Sequence, residues 1–384
     1  MSPLKAMNDV LVAGAGPVGA VCALALRQQG IAVRILEAQA GDARADSRTL
    51  ALSHGSRLIL ERLRVWQKLD DVTPITRIHI SQRGAPGVTR LAADDVDVPA
   101  LGYVLPYAAL TVALKQALAE AGIAVEYGVT VDRIESGLDA ATVHAAAGRS
   151  LETPLAVVAD GGRGDAAAKP RFERDYDQVA VVCDVQTELP HANQAYERFT
   201  PEGPVALLPK RDRYALVWTA SKTDAQRIAT MTDAEFLAAL YRHFGGRQGL
   251  FLQAGPRRTF PLKLAWTGSE AAARVVRIGN AAQTLHPVAG QGFNIGLRDA
   301  WELAGLCGDT SREALGSAAM LAAYARGRRM DVLGGVGFTD FLVRLFSNDI
   351  APLRRARGVG LLALEVFPPL KTFVARRMLF GARG

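Results

Sequence analysis

The sequence predicts an α/β protein in which a parallel sheet is interrupted by an inserted antiparallel sheet and followed by a helical tail. Three observations predict it. The chain opens on an apolar run that ends in Gly14-Ala-Gly16-Pro-Val-Gly19 and leads into a helical pattern. Its middle holds short strand-like runs divided by Pro, Gly and charged residues. From Phe293 onward the pattern is mainly helical.

The elements follow in order. Residues 10–13 are short, apolar and ended by glycine, which is the pattern of a buried parallel strand. Residues 17–29 read as a helix, with Val18, Val21, Cys22 and Ala25 at helical spacing and Gly30 as its stop. Residues 31–37 form the next strand and complete a βαβ opening. A helix over 110–121 and strands at 125–127, 142–145 and 155–159 continue the pattern. The runs 178–187, 194–199, 205–208 and 214–219 predict the antiparallel sheet. Residues 274–278 return to the first sheet. The first domain is therefore expected to be discontinuous, built from 1–75, 100–175 and 270–340. Residues 76–99 and 176–269 form the inserted domain, and 341–384 a helical C-terminal segment.

Bulk properties set outer bounds. A chain of 384 residues exceeds one small core. A composition 49% hydrophobic and 22% charged excludes disorder. The net charge of +7 suits anionic cofactors or an anionic membrane surface. No nucleic-acid-binding motif accompanies it, so no nucleic-acid partner is expected. Cys22, Cys183 and Cys307 lie far apart, with neither metal-ligand spacing nor a disulfide framework. That usage fits a reducing, cytoplasmic compartment. The first nine residues carry no signal-peptide core, and no run approaches the roughly 18 apolar residues of a membrane span.

Three motifs carry chemistry. Gly14, Gly16 and Gly19 supply a tight turn, close backbone approach and a helix N-terminus aimed at pyrophosphate. The bare pattern has roughly 0.3 expected chance matches in a chain this rich in glycine, so its position between strand and helix gives it its weight. Glu37, at the end of the second strand, can bind ribose hydroxyls of an unphosphorylated ribose. The second motif is Val158-Ala-Asp160-Gly161-Gly162-Arg163, a strand ending in an acid and glycines; alone it is an ordinary strand exit. The third is the most informative: Gly279-Asn280-Ala-Ala-Gln-Thr-Leu-His286-Pro287-Val-Ala-Gly290-Gln291-Gly292-Phe293-Asn294. A glycine-rich loop here precedes a helix, and such a helix end presents unpaired N–H groups that stabilise negative charge on a bound ring.

These three stretches, in this order and at these distances, resemble the FAD-dependent aromatic hydroxylases, the group A flavin monooxygenases. The third tract and the segment Arg48-Thr-Leu-Ala-Leu-Ser-His-Gly-Ser56 resemble the ubiquinone-biosynthesis hydroxylases, of the 2-polyprenyl-6-methoxyphenol hydroxylase branch. The likeness covers nearly the whole chain and is sharp at the motifs. It implies a Rossmann-like FAD-binding domain with an inserted substrate domain. It implies that Gly14, Gly16, Gly19 and Glu37 hold the AMP half of FAD and that Arg48 approaches the flavin. Asp160 would serve the pyrophosphate region, and Gly279 and Asn280 would face the ribityl chain. Pro287 and the Gly290, Gln291 and Gly292 amides would border the isoalloxazine, with Asn294 also among the cofactor residues. Two positions depart from the wider family. Asn280 replaces an Asp, as is common in the quinone branch, and an amide still accepts a ribityl hydrogen bond. Gly164 stands where many relatives have Ser.

The resemblance further implies that NADPH or NADH reduces the flavin and that O2 provides the oxygen placed on an electron-rich phenol. The cofactor carries that chemistry, which explains why no triad or metal cluster is legible. FAD is expected to be non-covalent, since no Cys or His lies in a flavinylation motif. His286 is the stronger candidate acid-base residue. His54 is a weaker one, and Ser53 lacks the context of a nucleophile. The expected substrate is an aromatic, lipophilic polyprenyl phenol. Two alternatives stay open: hydroxylation of a small soluble aromatic, or a non-catalytic FAD-bearing subunit of a lipid-biosynthesis complex. In the tail, Phe338, Phe341, Leu342, Leu345 and Phe346 share one helical face, as do Leu370, Phe373, Val374 and Met378. Lys371, Arg376 and Arg377 lie beside the second face and Arg354, Arg355 and Arg357 precede it. The first stripe suits docking on the cofactor domain. The second suits peripheral contact with the inner face of the cytoplasmic membrane or with a biosynthetic complex.

Overall fold

A computed structural model describes residues 9–41, 48–84, 86–162, 170–284, 290–346 and 350–381. The chain starts with β1 (Val10–Ala13), α1 (Pro17–Gln28) and β2 (Val33–Glu37). Then come β3 (Thr49–Ser53), α2 (His54–Arg62), β4 (Thr73–Ile75), β5 (Arg77–Gln82), β6 (Val88–Ala92) and β7 (Gly102–Pro106). Helix α3 (Tyr107–Glu120) leads to β8 (Ala124–Tyr127), β9 (Val131–Ser136), β10 (Ala141–Ala145), β11 (Arg149–Thr153) and β12 (Leu155–Val158). The central run is β13 (Phe172–Thr187), β14 (Gln194–Phe199), β15 (Val205–Lys210) and β16 (Arg213–Ser221). It continues through α4 (Lys222–Thr230), α5 (Asp233–Phe244), β17 (Phe251–Ala254) and β18 (Arg258–Trp266). The chain then returns through β19 (Glu270–Ala272), β20 (Val275–Arg277) and β21 (Gln283–Thr284). Four helices close it: α6 (Gln291–Gly308), α7 (Ala318–Phe346), α8 (Ala351–Val366) and α9 (Pro368–Phe380).

Strands β20, β12, β1, β2 and β8 form a parallel sheet in that order, edged by antiparallel β19. Its central strands β1 and β12 are wholly apolar because both faces are covered. On one face lie α1, α3 and α6, whose Val21, Leu110, Leu297 and Leu303 join Val12 and Val157 in the largest core. The small sheet β9–β11 covers the other face through Val143 and Ala141, packed on Leu11, Leu36 and Val158.

The second large sheet runs β21-β18-β13-β16-β15-β14-β5-β6, with β17 beside β13. One pairing differs from the expected antiparallel pattern. Strand β5 lies parallel to β14, Ile80 opposite Glu197, because it arrives from an earlier segment rather than through a hairpin. Strand β13 also begins earlier than its apolar run, at Phe172. A bulge between Asp175 and Gln178, with Asp177 at positive φ, joins its polar and apolar parts. One face of this sheet packs on α4 and α5 through Tyr196, Leu207, Trp218, Phe236 and Phe244. Both helices are locally specified: Ser221 caps α4, and Thr232 with Glu235 forms a capping box on α5.

Helices α8 and α9 meet at a bend of 97°. No single helix among the described residues is long and apolar enough to cross a membrane. Of the first tail stripe, Leu345 packs with Leu361 and Phe199; the side chains of Phe338, Phe341, Leu342 and Phe346 lie outside the described residues. The second stripe is split. Leu370 and Phe373 face outward, Val374 and Met378 are half-buried, and the neighbouring Ala375 and Leu379 enter a core with Leu91, Val96 and Leu101.

Candidate FAD site

The three glycine motifs, distant in sequence, meet at the carboxyl edge of the parallel sheet, where such folds bind dinucleotides. Gly14 leaves β1 at φ +110, and a Cβ there would lie 2.6 Å from the Ala159 carbonyl oxygen and 2.9 Å from Asp160 N. The first two motifs are therefore in backbone contact, and only glycine fits between them. A Cβ on Gly16, by contrast, would meet nothing within 4 Å. The loop thus opens onto free space at the N-terminus of α1, which no side chain caps. Glu37 stands beside this end: its Oε2 accepts from Ala15 N at 2.6 Å and its Oε1 from Gln39 N at 2.8 Å.

Asp160 Oδ1 accepts from Gly162 N at 2.8 Å, which shapes the loop after β12. Gly162 in turn approaches the Asn280 carbonyl oxygen, so the second and third motifs also adjoin. Gly279 rests on Val18 of α1, and the Asn280 side chain is exposed. Arg163 and Gly164 lie outside the described residues, as do His286 and Pro287.

Helix α6 begins at Gly290, whose left-handed backbone (φ +59) turns the chain into the helix with no side-chain cap. Gln291 is buried and Gly292 follows in the first turn. The uncapped N–H groups suit an anionic ring edge. Asn294, expected among the cofactor residues, is held by bonds within the protein. Its Oδ1 accepts from Ser53 N and Ser56 Oγ, and its Nδ2 donates to the carbonyl oxygens of Ala51 and Gly290. All four hydrogen-bonding capacities of the amide are thereby used within the protein, so Asn294 ties the junction of β3 and α2 to the start of α6.

Sequence reasoning missed Asp299. It is buried on α6, and its Oδ2 accepts from Gly279 N at 3.1 Å and Gln283 Nε2 at 2.6 Å. Its Oδ1 accepts from Arg328 Nε at 2.8 Å. Arg328 also pairs with Asp331, which pairs with Arg298, so two buried carboxylates and two buried guanidiniums tie α6, α7 and the Gly279 turn together. Burial opposes ionisation of Asp331, but the adjacent guanidiniums of Arg298 and Arg328 outweigh it and hold its pKa below the usual range. A carboxylate on the apolar stripe Ile295-Ala300-Leu303 was the legible signal.

Arg48 stacks on the Tyr107 ring, its Cζ 4.7 Å from the centroid, at the mouth of β3. His54 is buried against Tyr103 and Phe380, and burial followed by the nearby Arg57 charge lowers its pKa. It packs α2 against α9. Ser53 caps α2 by accepting from Ser56 N. Among the described residues no group of three or more His, Cys, Asp or Glu could hold a metal ion. The donors present therefore fit FAD: an open helix end and glycine cradle for pyrophosphate, a carboxylate for ribose, and a second open helix end for the ring.

Comparison with known proteins agrees. Residues 7–332 match the FAD binding domain family. The chain is 33% identical over 383 residues to a ubiquinone hydroxylase, UbiL, of Rhodospirillum rubrum, covering 97% of this chain and 89% of the relative. It is 30% identical over 374 residues to the 3-demethoxyubiquinol 3-hydroxylase of Escherichia coli, covering 93% and 95% respectively. Among solved structures, p-nitrophenol 4-monooxygenase PnpA from Pseudomonas putida superposes with a TM-score of 0.77 at 17% identity, over 98% of this chain and 99% of that one. Klebsiella pneumoniae HpxO complexed with FAD and uric acid gives 0.75 at 19%, over 98% and 97%. These two likenesses are of fold. Taken with the converging glycine motifs, the relatives place this chain in the FAD-dependent aromatic hydroxylase family, in its ubiquinone-hydroxylase branch.

Proposed function

We propose that the chain is an FAD- and NAD(P)H-dependent monooxygenase that hydroxylates the phenolic ring of a polyprenyl intermediate of ubiquinone biosynthesis. The observation that carries this reading is the similarity to ubiquinone hydroxylases, which covers 97% and 93% of this chain. Bound FAD supplies hydride acceptance from NAD(P)H and activation of O2. The protein's part is to bind, orient and keep dry. Gly14, Gly16 and Gly19 with the α1 N-terminus receive the pyrophosphate, Glu37 the adenosine ribose, and Asp160 supports that loop. Gly279 and Asn280 take the ribityl chain. The amides of Gly290, Gln291 and Gly292, with Pro287, border the flavin and stabilise negative charge there. Arg48 approaches from β3. The same reading assigns 1–75, 100–175 and 270–340 to the FAD domain, 76–99 and 176–269 to the substrate side, and 341–384 to the tail.

A lipophilic substrate calls for access from a bilayer. On α8 and α9, Val359, Leu362, Val366, Phe367, Leu370 and Phe373 are exposed, with exposed Arg355 and Arg376 nearby. Apolar residues gathered around the bend and flanked by cations suit peripheral contact with the anionic cytoplasmic leaflet. Mass spectrometry of lipid extracts from a deletion strain tests the function. A polyprenyl phenol lacking one ring hydroxyl is expected to accumulate; unchanged ubiquinone with no accumulated intermediate contradicts the reading. Phenol-stimulated NAD(P)H oxidation by the purified protein separates an enzyme from a non-catalytic FAD-bearing subunit.

A further inference from the structure

We propose that the Glu197 side chain is the polar contact for the ring hydroxyl of the phenol substrate, an inference that rests on the hydroxylase function proposed above. Strand β14 alternates strictly. Tyr196 enters the core against α5, while Ala195 and Phe199 point the opposite way. Glu197 shares the face of Ala195 and Phe199, opposite Ile80 of β5 and Ala206 of β15.

That face looks toward the cofactor. Ala195 and Leu208 pack on Val104 of β7 and Ile75 of β4. Val104 is paired with Ala51, and Ala51 is the residue that a Cβ on Gly290 would touch. At the other end of β14, Phe199 packs with Leu345 of α7 and Leu361 of α8. Glu197 therefore sits midway between the small sheet that abuts the α6 N-terminus and the helices that carry the exposed apolar surface. A ring held near the flavin with an apolar tail leaving toward α8 would pass this position.

The chemistry of the position agrees. Glu197 makes no hydrogen bond and no ion pair among the described residues, and its neighbours on this face are Ile80, Phe199, Ala206 and Leu208. Glu197 is half-buried, and burial pushes its carboxyl up to about 7. A buried carboxyl with no partner among the described residues is costly unless a ligand completes its hydrogen bonding. As carboxylate it accepts the phenol O–H. Full passage of that proton would leave a carboxylic acid on Glu197 and a phenolate on the substrate, with charge conserved and the ring made more electron-rich. The same carboxylate repels an aromatic acid, which separates neutral prenyl phenols from benzoates.

The test uses FAD-loaded protein, 2-geranylphenol, its methyl ether and 4-hydroxybenzoate, with binding read from the perturbed flavin absorbance. Wild type is expected to bind the phenol about tenfold or more tighter than the ether, the worth of a hydrogen bond to a charged group. Glu197→Leu is expected to lose that preference while keeping its FAD. Glu197→Gln, which accepts a hydrogen bond but carries no charge, is expected to retain part of the preference. It should also gain about tenfold or more in affinity for 4-hydroxybenzoate. A leucine variant with wild-type preference, or a glutamine variant that still rejects 4-hydroxybenzoate as wild type does, overturns the role of Glu197. Wild-type protein that binds neither phenol nor ether overturns the phenol-hydroxylase reading itself.

Discussion

Replacing Asp299 with Asn keeps the shape of the side chain and removes one charge from a buried set of four. In the native protein Asp299 and Asp331 balance Arg298 and Arg328, all four groups being buried. An amide at 299 leaves one guanidinium uncompensated. It also cannot serve both sides: if its oxygen faces Gly279 N and Gln283 Nε2, its NH2 meets Arg328, and the reverse strands the Gly279 N–H. Breaking a buried pair by removing one partner costs about 3–5 kcal/mol. At roughly 2 °C per kcal/mol for a large domain, that is a fall in Tm of about 6–10 °C. Because Gly279 is the turn proposed to face the ribityl chain, FAD should also bind more weakly. Thermal denaturation followed by flavin fluorescence, repeated with excess free FAD, reads both effects. A variant that melts within about 2 °C of wild type and keeps its flavin on dilution refutes the reasoning.

Other perturbations follow from the same geometry. Gly14→Val places a side chain against the Ala159 carbonyl at a backbone angle that valine does not adopt, so the protein should purify without FAD; a fully loaded variant sinks the motif assignment. Acid precipitation should release intact FAD into a yellow supernatant, and flavin held in the pellet would show a covalent link. Phe367→Ser with Phe373→Ser removes two exposed rings, 57% and 66% accessible, and should lower liposome flotation about tenfold or more without loss of flavin; unchanged flotation contradicts the membrane contact.

Much of the cofactor half was legible because its signals are local. The strand ending at Ala13, the glycine turn and the helix from Pro17 are consecutive, and the Gly279 and Gly290 loops announce themselves by composition. The inserted sheet was legible as strands but not as a topology. Nothing in the periodicity of Arg77–Gln82 says that it pairs in parallel with Gln194–Phe199, since register between distant segments is set by shared burial. Helices α4 and α5 went unassigned from the sequence, although Ser221-Lys-Thr-Asp224 and Thr232-Asp-Ala-Glu235 carry N-terminal capping signatures. Two kinds of information were out of reach. The partners of Asn294 and Asp299 come from elements far away in the chain, so a sequence shows the polar residue but not its bonds. In α9, helical spacing marked Leu370, Phe373, Val374 and Met378 as one stripe. Docking on β6 and α2 instead turned Ala375 and Leu379 inward, which leaves the helix both a core element and a surface.

The most direct test of the account is a single-turnover reaction of the purified, FAD-loaded protein with NADH or NADPH, oxygen-18 gas and 2-geranylphenol. The account predicts a ring-hydroxylated product carrying one oxygen-18 atom, formed in proportion to the NAD(P)H consumed. NAD(P)H oxidation that yields only hydrogen peroxide, or a product whose new oxygen comes from water, contradicts it.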